Sequence, residues 1–166
     1  MKKFEVYFAN LGAYNAGNLV GGHVDIMDYV GDPDGLHKEI MRVTNNADEY
    51  AAHDYEGESY GLGETGSLSQ FLAVAWSIDE HDEDMTAAMA GHIFDYTQEA
   101  FQDMAEKLYR SCDSFEDLGF QLLEDSYSNL PDIVHSHLDL DGLGEEIAMD
   151  YTVAEGPSGT LYLFDG

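Results

Sequence analysis

The chain has 166 residues, and its 34 Asp and Glu face only 6 Lys and Arg, which sets a formal net charge of -28. Charge of that sign and size disfavours nucleic acid and anionic membranes as partners. A wholly disordered acidic chain is excluded as well, because 44% hydrophobic residues, with 11 Tyr and 8 Phe among them, supply a folded core.

Phe4, Val6 and Phe8 alternate with Glu5 and Tyr7 at the period of a half-buried strand, and the cluster Asn10, Gly12, Asn15 and Gly17 then imposes a loop. A second strand is expected over 19–26. Asp32 before Pro33 marks a helix start, with Leu36, Ile40 and Val43 on one face and an end near Asn45 and Asn46. Residues 50–56 read as a strand. Helices are expected over 67–78, through Leu68, Phe71, Leu72 and Ala75, and from about Asp84, through Met85, Met89 and Ile93. Between Asp95 and Arg110 a third helix would carry Phe101, Met104, Ala105 and Leu108 on one face and Asp95, Glu99, Asp103 and Glu106 on another. Like charges so spaced oppose the helix by roughly 0.2 to 0.5 kcal/mol per pair, so an all-acidic ladder is either a salt adaptation or a displayed surface.

Ser114, three residues before Asp117, caps a helix running to about Asp125. A short helix over 141–147 then precedes two strands, 148–153 and 160–164, joined by a Gly156-Pro157-Ser158-Gly159 turn. The expected fold class is α+β, an elongated chain of three small subdomains with a very acidic surface. An α/β piece occupies 1-61, a helical piece 62-105 and a second α/β piece 106-166.

Motifs for catalysis or metal binding fail on their spacing. Gly61, Gly63 and Gly66 spell a dinucleotide fingerprint without a preceding apolar strand, and Glu64 sits where a pyrophosphate would approach, so a turn into the next helix is the better reading. Asp32-Pro33-Asp34-Gly35 and Asp139-Leu140-Asp141-Gly142 resemble calcium loops, but aligned on their glycines the twelfth position is Met41 or Ala148. His135 and His137 would share one face of a strand, with Asp139 near them, which falls short of the three or four ligands of a zinc site. Cys112 beside Arg110 invites a lowered thiol pKa but has no base or oxyanion donors to work with. No enzyme, metal or cofactor is expected. With a single cysteine, no apolar run behind Lys2 and Lys3, and no stretch near the roughly 18 apolar residues of a membrane span, a soluble, reduced and cytoplasmic protein is expected.

Sign along the chain is telling. No Lys or Arg lies between Arg42 and Lys107, and none follows Arg110, while acids run through both intervals among apolar residues at folding periods. The charge therefore belongs to structured elements. Composition alone leaves open a salt-adapted surface or an acidic module for basic proteins.

Tyr14-Asn15-Ala16-Gly17-Asn18-Leu19-Val20-Gly21, followed by Val24-Asp25, resembles a motif of ArdA-type antirestriction proteins, with His23 where that family commonly has an aromatic. Ala52-His53-Asp54-Tyr55-Glu56-Gly57 is similar to a second family segment. Glu116-Asp117-Leu118, Leu122-Leu123-Glu124-Asp125, Leu130-Pro131 and Asp150-Tyr151 continue in the family's order. The resemblance implies a protein of mobile elements such as conjugative transposons, a curved homodimer that imitates bent duplex DNA and occupies the DNA-binding groove of type I restriction-modification enzymes. At the duplex density of one charge per roughly 1.7 Å, this chain's net charge would cover about 48 Å.

On that reading, the acids standing for phosphates are Glu49, Asp54, Glu56, Glu58, Glu64, Asp79, Glu80, Asp82, Glu83, Asp84, Asp95, Glu99, Asp103 and Glu106 in the first interval. In the second they are Asp113, Glu116, Asp117, Glu124, Asp125, Asp132, Asp139, Asp141, Glu145 and Glu146. Leu161 and Phe164 in the closing hairpin are the expected homodimer contacts.

Overall fold

A computed structural model of the chain describes residues 2–127 and 129–166. Two compact units, Met1–Gln102 and Asp103–Gly166, stand where three pieces are expected. The reason lies in Phe71, which is expected in the second piece but packs its ring against Phe4 and Phe8 of the first, so both draw on one core.

In the larger unit, β1 (Glu5–Asn10) is the middle strand of an antiparallel sheet, between β2 (Gly21–Asp25) and β3 (Tyr50–Glu56). The period-2 pattern puts Phe4, Val6 and Phe8 fully inside, and the Tyr7/Phe8 register shift against β3 leaves the pattern intact. The expected loop after β1 holds a short helix, α1 (Leu11–Asn15), which Asn10 caps by accepting from the Ala13 N–H at 3.0 Å. A 3-10 turn over Ile26–Tyr29 leads into α2 (Pro33–Val43), whose inner face is Leu36 and Ile40.

Ser67 and Gln70 close a reciprocal capping box at the start of α3 (Leu68–Glu80). This helix is buried on most of its circumference, as Phe71, Leu72, Ala73, Val74, Ala75, Ser77 and Ile78 show, and a buried Ser77–Thr86 hydroxyl pair at 2.9 Å links it to α4 (Glu83–Ala90).

The helix read over Asp95 to Arg110 is α5 (Gln98–Glu106), and Leu108–Cys112 forms a strand, β4. Thr97 starts α5 by accepting the Ala100 N–H at 3.1 Å, which leaves Asp95 outside the helix. Leu108, Arg110 and Cys112 alternate along β4 because the chain pairs there with β6 (Leu161–Phe164), a partner remote in sequence.

In the smaller unit, β6 is the middle strand between β4 and β5 (Thr152–Glu155). The Gly156-to-Gly159 segment turns as expected, with Gly156 donating to Thr160 at 2.9 Å. Two helices, α6 (Phe115–Ser126) and α8 (Leu140–Ala148), cross closely; a short α7 (Asp132–His135) lies between them in sequence. A methyl group on Gly119 would collide with the Leu140 carbonyl, and one on Gly144 with the Phe115 carbonyl, so this crossing brings backbone against backbone. Cys112, Leu118, Ala148 and Leu163 form the core beneath.

Candidate functional site

The acids expected to act are all at the surface. Asp84 and Asp117 are half-buried and every other one named is exposed, in contrast to the buried polar positions Thr44, Ser77 and Thr86. Their exposure follows from where they fall. The apolar residue at each third or fourth position faces a core, and the carboxylate between faces water.

The acids divide into two groups by what they touch. Some hold the fold. Asp82 caps α4 by accepting the Met85 N–H at 2.7 Å, Asp139 caps α8 through Gly142 at 3.0 Å, and Asp117 accepts from the Asp113 N–H and the Gln121 amide. Asp54 accepts the Tyr55 N–H, Glu58 accepts those of Ser59 and Tyr60, and Glu83 that of Lys3. Glu56 pairs with Lys3 and Asp125 with Arg110, each at 2.6 Å. Asp84 and Glu106 have partners too. By contrast Glu49, Glu64, Asp79, Glu80, Asp95, Glu99, Asp103, Asp113, Glu116, Glu124, Asp132, Asp141, Glu145 and Glu146 have no side-chain hydrogen bond or ion pair among the described residues.

Four of the six Lys and Arg hold partners within the chain. Lys2 donates to the Asp79 and His81 carbonyls at the C-terminal end of α3, where a positive charge meets the negative end of the helix dipole. Lys3 sits between Glu5 and Glu56, whose hydrogen bonds raise its pKa well above the ordinary range. Arg42 binds Glu39, which holds that carboxyl below its ordinary value. Arg110 reaches Asp125 and Gln121 and lies over the Tyr109 ring. Sequence reading counted these cations but gave no sign that they are fastenings.

The motifs weighed for other chemistry resolve into structural parts. Both calcium-like motifs are helix starts, with Asp32 accepting the Gly35 N–H at 2.9 Å as Asp139 does that of Gly142. His135 closes α7, so the strand geometry expected for it and His137 is absent. His135 faces Phe120, and His137 donates from Nδ1 to the Ile133 carbonyl at 2.8 Å. No cluster of three or more His, Cys, Asp or Glu suited to a metal ion occurs among the described residues. The Cys112 thiol is buried, and desolvation with help from Asp117 and Asp113 pushes its pKa up, opposite to the lowering that Arg110 invites.

Of the two expected dimer contacts, Phe164 is fully buried in the chain and Leu161 is partly exposed against the core. Other apolar side chains stand in solvent: Ile133 is 70% exposed, Met149 81% and Phe94 99%.

The fold is that of an α+β protein with two small antiparallel sheets, and the sequence is strongly acidic. The family model for antirestriction protein (ArdA) matches residues 6–162, and the chain belongs to that family. No curated protein matches it. Membership suggests an antirestriction function directed at restriction enzymes in general, in a family that is not one of enzymes. Among the described residues no helix is long and apolar enough to cross a membrane.

Proposed function

We propose that the protein is a DNA mimic that enters the DNA-binding groove of type I restriction-modification enzymes and so protects incoming mobile DNA. The observation that carries this reading is the set of exposed carboxylates, such as Glu80, Asp95, Glu99, Asp103, Glu145 and Glu146, that have no side-chain hydrogen bond or ion pair among the described residues, which leaves them available to cations of another molecule. Duplex DNA is bound chiefly through its phosphates, and a groove built to neutralise them reads a line of negative charge. Family membership supports a restriction enzyme as the target. The active species is a homodimer in the bacterial cytoplasm, working without cofactor, and its contact lies in the smaller unit, where Leu161 keeps part of its surface free.

The test is direct competition for a purified type I enzyme. The protein should displace labelled duplex, excess duplex should displace the protein, and both affinities should fall steeply with salt. Progressive neutralisation of Asp79, Glu80, Asp95, Glu99 and Asp103 should weaken inhibition by degrees. Failure of saturating DNA to displace the protein would replace groove occupancy with a separate binding site.

A further inference from the structure

The larger unit contains a groove of about 680 Å³ that the carboxylate surface does not explain. Its walls are Pro33, Leu68, Leu72, Ala73 and Tyr96, with Ser69 and Gln98 among its polar residues. That volume lies in the range of pockets that enclose a small ligand or a few side chains.

Three helix starts meet at this groove, those of α2, α3 and α5. Each carries a partial positive charge of roughly half a unit, which taken alone would favour an anion. One donor at each start is already used, however: Asp32 accepts from the Gly35 N–H, Ser67 from that of Gln70 and Thr97 from that of Ala100. The lining is also bracketed in sequence by four exposed acids, Asp32 and Asp34 beside Pro33, and Asp95 and Glu99 beside Tyr96 to Gln98. Four full negative charges outweigh three partial positive ones, so the sign of the surroundings favours a cation. The apolar walls select which. A lysine ammonium is a strongly hydrated point charge, whereas a guanidinium is planar, less hydrated and stacks on aromatic rings, and its methylene stem gains from apolar contact.

We propose that this groove receives a short arginine-bearing segment of the target, with the arginine stem against Leu68, Leu72 and Tyr96 and the guanidinium held by the acids bracketing the groove. It rests on the reading that the target is a DNA-binding surface, which supplies the basic segment, and gives the mimic a preference that phosphate-like charges alone would not have. Specificity then resides in one shaped feature set within a diffuse field.

The probe is an acetylated and amidated Gly-Arg-Leu-Arg-Gly peptide, titrated calorimetrically at physiological salt, beside its counterpart with lysine in place of both arginines. The arginine peptide should bind one to one and at least fivefold tighter than the lysine peptide. Ser69→Phe and Gln98→Trp fill the groove from two exposed positions without changing net charge, and each should weaken peptide binding at least tenfold. Thermal melts check their folds, and if one variant fails to fold the other decides. Wild-type affinity in a folded, filled variant, or equal binding of the two peptides, would overturn the groove and leave diffuse charge attraction. The competition assay separates this proposal from the one it rests on. Peptide binding lost on filling, with no displacement of duplex by the wild type, would sink mimicry and keep the groove; displacement without any effect of filling would do the reverse.

Discussion

The two units solve the same problem, folding under a heavy negative charge, with different materials. The larger one uses bulk: Phe4, Phe8 and Phe71 meet in a ring cluster with Tyr55 and Tyr60, and α3 is buried on most of its surface. The smaller one uses proximity, since its core side chains are few and Gly119 and Gly144 let α6 and α8 approach to backbone contact. Aromatic bulk supplies apolar area, while close approach supplies dispersion contacts that little area could give. A small domain buries a smaller fraction of its surface, so the unit with fewer core residues depends on the tighter fit.

Gly144→Val should therefore have the largest effect. The new side chain meets the Phe115 carbonyl, a backbone group that cannot swing away, and overpacking of that kind belongs to the class of changes costing more than about 4 kcal/mol. Hydrogen exchange should show α6 and α8 losing protection while β1 and α3 keep theirs. Equal loss in both units would show that they fold as one cooperative body and erase the contrast.

Alkaline titration probes the comparison from the other side. Burial raises the phenol pKa of Tyr55 from 10.0 to about 12, and of Tyr29, Tyr50, Tyr60 and Tyr96 in the same direction. A raised folded-state pKa gives stability that is whole below the unfolded value and is lost as pH climbs through the folded one. The larger unit should thus lose stability between pH 10 and about 12. In the smaller unit burial raises the Cys112 thiol and the Tyr151 phenol in the same direction. The single Trp76 reports the larger unit, and reaction of Cys112 with a thiol reagent reports the smaller one. Within that window the Trp76 signal should change by more than the thiol's accessibility does.

The cations rank next. Arg110, with its side chain 22% exposed, holds Asp125, Gln121 and the Tyr109 ring, so Arg110→Met should cost about 1 to 2 kcal/mol. Lys3 is more exposed and its pairs are screened, so Lys3→Met should cost less than Arg110→Met despite its two carboxylate partners. Denaturant melts of the two variants would reverse the argument if Lys3 proved the more costly.

Much of this was legible from local pattern. Asp32 and Ser114 announced their helices, because an N-cap is written within four residues. The alternation of Phe4, Val6 and Phe8 announced β1. What was missed was non-local. Met104, Ala105 and Leu108 suit a helical stripe as well as a helix end followed by a strand, and only pairing with Leu161 to Phe164 decides between them. That Phe164 lies on a middle strand is likewise not legible in the four residues of β6. For the candidate site, sequence yielded the carboxylates and their exposure. Which of them are occupied by caps and cations depends on partners such as Lys3 with Glu56 or Arg110 with Asp125, brought together by the fold.

The smallest effect carries the sharpest comparison, because it sets two exposed acids at opposite ends of helices. Glu99 lies in the first turn of α5, where its charge complements the positive helix end; Glu124 lies in the last turn of α6, where its charge adds to the negative one. Neither has a side-chain partner among the described residues. Removing either charge also relieves the repulsion of a chain at -28. For Glu124→Gln the two contributions act together, and the variant should be more stable by a few tenths of a kcal/mol. For Glu99→Gln they oppose each other, and the change should be near zero or slightly destabilising. Raising salt to 1 M, where the Debye length falls to about 3 Å, should shrink the difference between the two. Inhibition is expected to separate from stability: if binding is shared among many carboxylates, both variants should inhibit as the wild type does within about twofold, whichever way their melts move. A large loss of inhibition in one folded variant alone would place a discrete contact in that unit and end the view that the line of charge is read as a whole.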